Sequence, residues 1–104
     1  MAASHTPSGQ VVTVGPAGPA QTATVVSAPS LKVARLVIPA GKDVAEHSAP
    51  GDITVHCLAG AIDFTAEGRT TRLGPGQLLY LGAGARHALR GVEDAAVLVT
   101  AVSR

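Results

Sequence analysis

The sequence has few of the features that stabilise or direct many small proteins. Its 104 residues include one cysteine, one tyrosine, one phenylalanine and no tryptophan. A single Cys57 excludes an internal disulfide framework and fits a reducing compartment. The net charge is +1, and the chain has neither a cluster of Lys and Arg nor an aromatic platform for neutralising phosphates and stacking bases. We therefore expect no nucleic-acid partner.

Long apolar runs are also missing from the sequence. No segment approaches the roughly 20 apolar residues that a membrane-spanning helix needs. The first ten residues lack the basic start and apolar stretch of a secretory signal. These absences predict a cytoplasmic protein with no membrane partner. The length is that of one domain, and because a core of this size is modest, we expect a homodimer.

What the sequence does contain is a series of short segments rich in Val, Leu, Ile and Thr, separated by Gly and Pro. Segments of about five to ten residues have the length of strands. No helical stretches of the kind that α/β units require lie between them. The pattern predicts an all-β sandwich or barrel, with strands at residues 22–28, 31–38, 53–59, 61–66, 69–73, 77–81, 86–90 and 95–102.

Two turns can be predicted between these strands. Glu67-Gly68 separates two strand-like segments and predicts a tight hairpin, because Gly accepts a positive φ. Gly74-Pro75-Gly76 predicts a second reversal. Residues 1–10 are predicted to form a mobile tail, and residues 11–104 a single barrel domain. Residues 11–14 are a candidate first strand, followed by a Gly/Pro linker at 15–19.

Glycines and histidines recur at spacings that resemble the two sequence motifs of the cupin superfamily. Gly41, His47 and Gly60 match positions of the first motif, and Gly76, Gly84 and His87 match positions of the second. The resemblance covers about the last two thirds of the chain. It implies a small jelly-roll β-barrel, commonly dimeric, in which the two histidines lie near each other at the barrel mouth.

The sequence departs from the cupin pattern at the positions that usually bind metal. Cupins that act through a metal usually offer three His and one Glu, whereas Ala49 and Ile53 stand at the second His and Glu positions here. Gly82 and Gly91 replace the Pro and Asn of the second motif. The candidate metal ligands are therefore His47 and His87. Asp52 is a third candidate if a β-bulge turns its carboxylate inward, and the metal would be Fe, Zn, Ni or Mn.

Strand alternation assigns the remaining candidate residues to a face of the barrel. His56 is expected to point outward, and Cys57 to point inward as a core residue. Arg35 is expected to be an ordinary exposed charge. The predicted ligand pocket is largely apolar and is formed by His47, His87, Ala49, Ile53, Val55 and Tyr80.

Three functions remain open at this point, and the sequence does not decide whether the chain is an enzyme. The first is a binding protein that holds a small, largely apolar molecule in the barrel. The second is a metal-dependent dioxygenase or isomerase with a two-histidine site, or a metal-free isomerase in which one of these histidines acts as general base. The third is an interaction or oligomer-forming protein that has lost the use of its pocket.

Overall fold

The structure is a computed structural model that describes residues 5–15 and 21–103. Every regular element in these residues is a β-strand. The same residues contain no helix long and apolar enough to cross a membrane. The strands are β1 (Ala23–Ala28), β2 (Leu31–Ile38), β3 (Asp43–His47), β4 (Ile53–Ala66), β5 (Arg69–Leu73), β6 (Leu78–Leu81) and β7 (His87–Val102). The predicted all-β class is confirmed.

The two longest strands, β4 and β7, form the centre of the molecule. They pair antiparallel along nearly their whole length, from Ile53 opposite Ala101 to Ala66 opposite His87. One half of this ribbon is flanked by β3 and β5, and the other half by β2 and β6, with β1 beyond β2. All seven strands thus belong to one antiparallel sheet, which closes around a common core.

A bend in the middle of β4 joins the two halves of the sheet. The β4–β7 register shifts between Cys57 and Ile62, and extra residues of this kind bend a strand and change its twist. Gly60 lies within the bend at a φ of +74°. The shifts also change the alternation of buried side chains, from Val55 and Cys57 before the bend to Ile62 and Phe64 after it.

The core lies between the inner faces of the two halves. It contains the buried side chains of Ile38, Ile53, Val55, Cys57, Ile62, Phe64, Leu73, Leu81, Leu89, Ala95 and Val97. Most of these residues are aliphatic, so the barrel is filled by close packing at its base. Burial of apolar surface of this kind contributes about 25 cal/mol per Å².

The hairpin predicted at Glu67-Gly68 is confirmed. Ala66 pairs with Arg69 across a two-residue turn, in which Glu67 has a φ of +53° and Gly68 a φ of +73°. Two positive φ values define a type I′ turn, whose twist matches that of the flanking strands. The predicted bounds of β2 and β5 also agree with the structure.

Other strand predictions were wrong in number or extent. The segments predicted at 53–59 and 61–66 form the single strand β4, and those predicted at 86–90 and 95–102 both belong to β7. β3 was not predicted, because most of its residues are exposed and it has no apolar alternation. Residues 11–14 are not a strand. Most of the predicted linker, residues 16–19, lies outside the described residues.

The predicted tail makes contact with the sheet at Thr6. Its backbone N–H donates to the Ser27 carbonyl at 2.7 Å, and its hydroxyl accepts from the Ser27 N–H at 2.9 Å. Thr6 is therefore held against β1 by two hydrogen bonds. The mobility of residues 1–10 as a whole stays a prediction.

Gly91, which stands at the Asn position of the second cupin motif, is packed directly against the turn between β2 and β3. Its carbonyl accepts from the Gly41 N–H at 2.8 Å, and its N–H donates to the Lys42 carbonyl at 2.9 Å. A Cβ at this position would overlap the Pro39 carbonyl oxygen. The close approach of two backbones therefore requires glycine here.

Replacing Gly91 with alanine should lower the free energy of unfolding by about 2 kcal/mol, since overpacking typically costs about 1–3 kcal/mol. Urea denaturation followed by circular dichroism measures the change. Gly82→Ala is the matched control, because its Cβ would lie 3.7 Å from the Tyr80 hydroxyl oxygen, an ordinary contact. Equal midpoints for the two variants would show that the packing around Gly91 is not restrictive.

Candidate functional site

Four residues on neighbouring strands form a row across the open end of the barrel, which we call the mouth row. His47 on β3 lies opposite His87 on β7, His87 lies opposite Ala66 on β4, and Ala66 lies opposite Arg69 on β5. Directly opposite residues in a sheet point to the same face. This face is the inner one, because His87 is buried and stacks on the core residue Phe64.

The next row toward the core has a different chemical character. Thr71, Phe64 and Leu89 lie opposite one another on β5, β4 and β7, and Val44 on β3 lies opposite Leu89. Phe64 and Leu89 are buried. On β7 the inner face therefore changes from the buried Leu89 to the polar His87 within two residues, and on β3 it changes from Val44 to His47 within three.

The two histidines of the mouth row are in direct contact. Their ring centroids lie 4.2 Å apart, with an angle of 62° between the ring planes. The ring of His87 also stacks on Phe64, with a centroid distance of 5.5 Å and an angle of 12°. His47 is exposed, whereas His87 is only 4% exposed. His47 is thus the more solvent-accessible of the two histidines.

Backbone carbonyl groups orient both imidazole rings. The Nδ1 atom of His47 lies 2.9 Å from the Ala45 carbonyl oxygen, and that of His87 lies 3.1 Å from the Ala85 carbonyl oxygen. A carbonyl only accepts hydrogen bonds, so each Nδ1 carries the proton in the neutral ring. Each Nε2 then presents a lone pair, which can accept a hydrogen bond or bind a metal ion.

The environment of His87 disfavours its protonated form. Burial lowers the pKa of His87 below the ordinary value of 6.5, and repulsion from His47 lowers it further, while the hydrogen bond to Ala85 opposes the shift. His87 is therefore a neutral hydrogen-bonding group at pH 7. The polar mouth of the barrel gains no positive charge from it.

A groove of about 270 Å³ opens beside the mouth row. Apolar side chains of β4 and β6 form part of it, and the hairpin after β4 supplies polar groups. It is lined by Phe64, Ala66, Glu67, Arg69, Thr71, Leu79, Tyr80 and Leu81. Most of the exposed lining is polar, so a small molecule with polar groups and a limited apolar part matches it.

The residues predicted to form the pocket occupy different places. Tyr80 lines the groove, where its side chain is largely exposed. Ile53 and Val55 are buried within the core, and Ala49 packs against that core. On β6, Leu79 and Leu81 lie opposite Val55 and Ile53 and line the groove, where Leu79 is half-buried and Leu81 is buried.

Asp52 does not join the two histidines. Its carboxylate accepts a hydrogen bond from the Ala83 N–H at 3.1 Å, in the loop between β6 and β7. Among residues 5–15 and 21–103, no group of three or more His, Cys, Asp or Glu side chains is close enough to share a metal ion. The described part of the chain therefore offers two metal ligands at the mouth, and both are imidazoles.

Three further side chains were assigned a position from the sequence, namely Cys57, His56 and Arg35. Cys57 is fully buried in the core, as predicted. His56 lies between the inward-facing Val55 and Cys57 and opposite Leu78, which agrees with its predicted outward direction. Arg35 was expected to be exposed, and this prediction was wrong, since only 2% of it is accessible. Strand alternation placed Arg35 and Lys32 on opposite faces of β2 but did not show that the face of Arg35 is covered.

The chain matches the family model described as a cupin domain over residues 34–103. It therefore belongs to the cupin family, and its all-β fold is the jelly-roll barrel of that family. The match includes both histidines of the mouth row and the hairpin that carries Arg69. No protein of curated function matches the chain.

Solved structures of other proteins share this fold. A conserved protein of unknown function from Streptococcus pyogenes is 26% identical, with a TM-score of 0.77 over 97% of this chain and 93% of its own. An RmlC-like cupin from Desulfovibrio desulfuricans is 25% identical, with a TM-score of 0.71 over 78% and 79% of the two chains. KdgF from Halomonas sp. is 22% identical, with a TM-score of 0.74 over 80% and 77%. These similarities establish the barrel and leave the activity open, because cupins support unrelated functions.

Sequence reasoning missed several residues that line the groove, in particular Arg69, Thr71 and Leu79. A signal for Arg69 was present in the predicted hairpin. The residue directly after a two-residue turn lies opposite the residue before it, so Arg69 had to lie beside Ala66. What the sequence did not indicate was that Ala66 also lies opposite His87.

The lowered pKa of His87 predicts a pH dependence of stability. Below pH 6.5, His87 binds a proton more readily in the unfolded chain than in the folded chain. The free energy of unfolding should therefore decrease as the pH falls through this range. Thermal unfolding between pH 7.5 and 5.5 should show a smaller decrease for His87→Gln than for the wild type. His5→Gln is the control and should follow the wild type.

A direct measurement separates this effect from any damage caused by substitution. In the wild type, an NMR titration of the His87 ring protons should give a pKa below 6.5. In His47→Ala this pKa should be higher, because the repulsion from His47 is removed. A wild-type pKa at or above 6.5 would contradict the burial argument.

Burial also predicts that the Cys57 thiol is unreactive in the folded protein. Desolvation raises the pKa of Cys57, which disfavours the nucleophilic thiolate. We expect no reaction with Ellman's reagent at pH 8 over minutes, and one thiol per chain after unfolding in urea. Rapid reaction of the native protein would show that the core opens near Cys57.

Proposed function

We propose that this cupin is a small-molecule binding protein whose ligand occupies the groove at the barrel mouth. In this proposal the apolar part of the ligand contacts Leu79 and Leu81. A polar group of the ligand reaches the mouth row and donates a hydrogen bond to Nε2 of His47. His87 holds the ring of His47 in place from below.

The observation that carries the proposal is the position of the histidine pair at the boundary between polar mouth and apolar interior. The backbone carbonyls of Ala45 and Ala85 fix both ring orientations, so no reorganisation is needed when a ligand binds. Sites that hold their polar groups in place before binding lose less conformational entropy. The adjacent groove of about 270 Å³ suits a small organic molecule.

The donor set argues against a metal held by protein groups alone. Catalytic zinc sites generally keep three protein ligands, whereas the described residues bring only His47 and His87 together. Neither Ala49 nor Ile53 can supply the missing donors at the family's other ligand positions. This is why we favour a binding function over a metal-dependent dioxygenase or isomerase.

A two-histidine metal enzyme is the alternative, and one observation favours it. A metal-binding histidine usually donates its other ring N–H to a carbonyl or carboxylate group, and both histidines here do so. In that case Fe, Zn, Ni or Mn would be bound by two Nε2 atoms, and water or the ligand would complete the coordination shell. The residues of this chain would then position the ion and exclude solvent from its apolar side.

Binding to the mouth can be tested with a screen of small amphipathic compounds by ligand-observed NMR. Compounds that bind the wild type should bind His47→Ala up to about tenfold more weakly, because the hydrogen bond to Nε2 of His47 is lost and such a bond contributes up to about 1.5 kcal/mol. His56→Ala removes a histidine from the outer face of β4 and should bind like the wild type. Equal binding by all three proteins would contradict the proposal.

Elemental mass spectrometry on protein purified without chelator distinguishes the alternative. A metal present at nearly one ion per chain, and lost in both His47→Ala and His87→Ala, would favour the metal enzyme. Metal below a tenth of an ion per chain in every sample, together with ligand binding, would support the binding protein.

The homodimer and the cytoplasmic location stay predictions.

A further inference from the structure

Arg69 occupies one end of the mouth row, and the histidine pair occupies the other. It lies opposite Ala66, which in turn lies opposite His87. Neighbouring strands are about 4.8 Å apart, so the backbones of Arg69 and His87 are separated by about 10 Å. The methyl group of Ala66 fills little of the space between them. The mouth therefore has a guanidinium group on one side of this gap and the histidine pair on the other.

Arg69 differs from the other surface arginines of the described residues, because each of those forms an ion pair. The described residues form three ion pairs, Arg72 with Asp63, Arg86 with Glu46 and Arg90 with Asp43. None of them includes Arg69. Arg69 lines the groove, whereas its strand neighbour Arg72 points to the opposite face of β5.

The groove also contains one negatively charged side chain. Glu67 lines it from the turn of the same hairpin, and no hydrogen bond or ion pair joins it to Arg69 in the described residues. A bound anion would be repelled by Glu67 and attracted by Arg69. Glu67 is exposed in the turn, and its side chain is free to turn toward solvent. Arg69 is the first residue of the paired strand β5, and its side chain lines the groove.

We infer that Arg69 binds a carboxylate group of the ligand, so that the ligand class is a small amphipathic carboxylic acid. The planar guanidinium donates two parallel hydrogen bonds to a carboxylate. The apolar body of the acid packs on Leu79 and Leu81, and a hydroxyl or amide elsewhere on it reaches His47. This inference rests on the proposed binding function and names the substrate class of the same site.

The test compares acids with their neutral counterparts. Straight-chain carboxylates of four to ten carbons, benzoate and phenylacetate are titrated into ¹⁵N-labelled protein at low salt, each beside its primary amide. The wild type should bind the acids at least about tenfold more tightly than the amides, since a hydrogen bond to a charged group is stronger than a neutral one. Arg69→Gln should lose this preference.

Three variants sharpen the comparison. Arg69→Lys should keep part of the preference, because the charge remains and the two-pronged geometry is lost. Glu67→Gln should strengthen acid binding, because a repulsive charge is removed. Arg72→Gln is the matched control on the outer face of β5 and should behave like the wild type.

The outcomes separate the inference from the proposed function. Retention of the acid preference by Arg69→Gln, or equal binding of acids and amides by the wild type, would overturn the inference. The binding function would still stand in either case if His47→Ala weakened binding. Failure of every acid and every amide to bind the wild type would overturn both.

Discussion

The antiparallel pairing of β4 with β7 is the interaction on which the rest of this barrel depends. Each of these strands contributes to both halves of the sheet, and every other strand except β1 pairs directly with one of them. The register of this single ribbon determines which side chains share a row. It places Ala66 of β4 opposite His87 of β7, and thereby brings the hairpin between β4 and β5 next to the strands that carry the two histidines. A shift of one residue would turn all of these side chains to the opposite face.

Local signals in the sequence were sufficient to predict much of the fold. The Glu67-Gly68 hairpin follows from the need for positive φ in a two-residue turn, and β2 follows from its apolar residues. Strand alternation correctly separated Cys57 from His56. What local signals did not show was that Gly60 and Gly91 lie inside long strands. A glycine that ends a strand and a glycine that allows another backbone to approach look alike in one sequence, and only tertiary packing distinguishes them.

The candidate site was also predictable only in part, because local sequence patterns do not show tertiary packing. Motif spacing selected His47 and His87, and the structure brings their rings into contact. The pocket wall was less predictable, because Ile53 and Val55 face inward as expected but are buried in the core, while their partners on β6, Leu81 and Leu79, line the groove. Alternation gives only the direction of a side chain. Arg35 illustrates the same limit on the outer face, where alternation did not reveal that it is covered.

Because every member of the mouth row belongs to a paired strand, the opening has little freedom to widen. Separating β3 from β7 or β4 from β5 would break backbone hydrogen bonds of the sheet, each of which contributes about 1 kcal/mol net. In the proposed binding function, ligand entry would therefore depend on rotation of exposed side chains such as Arg69 and Tyr80, while the His47 ring keeps the orientation set by the Ala45 carbonyl. These rotations are fast, on the picosecond to nanosecond scale for exposed residues. For the proposed ligand, the mouth would thus be a fixed ring with movable side chains, which would select molecules by cross-section and impose no slow opening step.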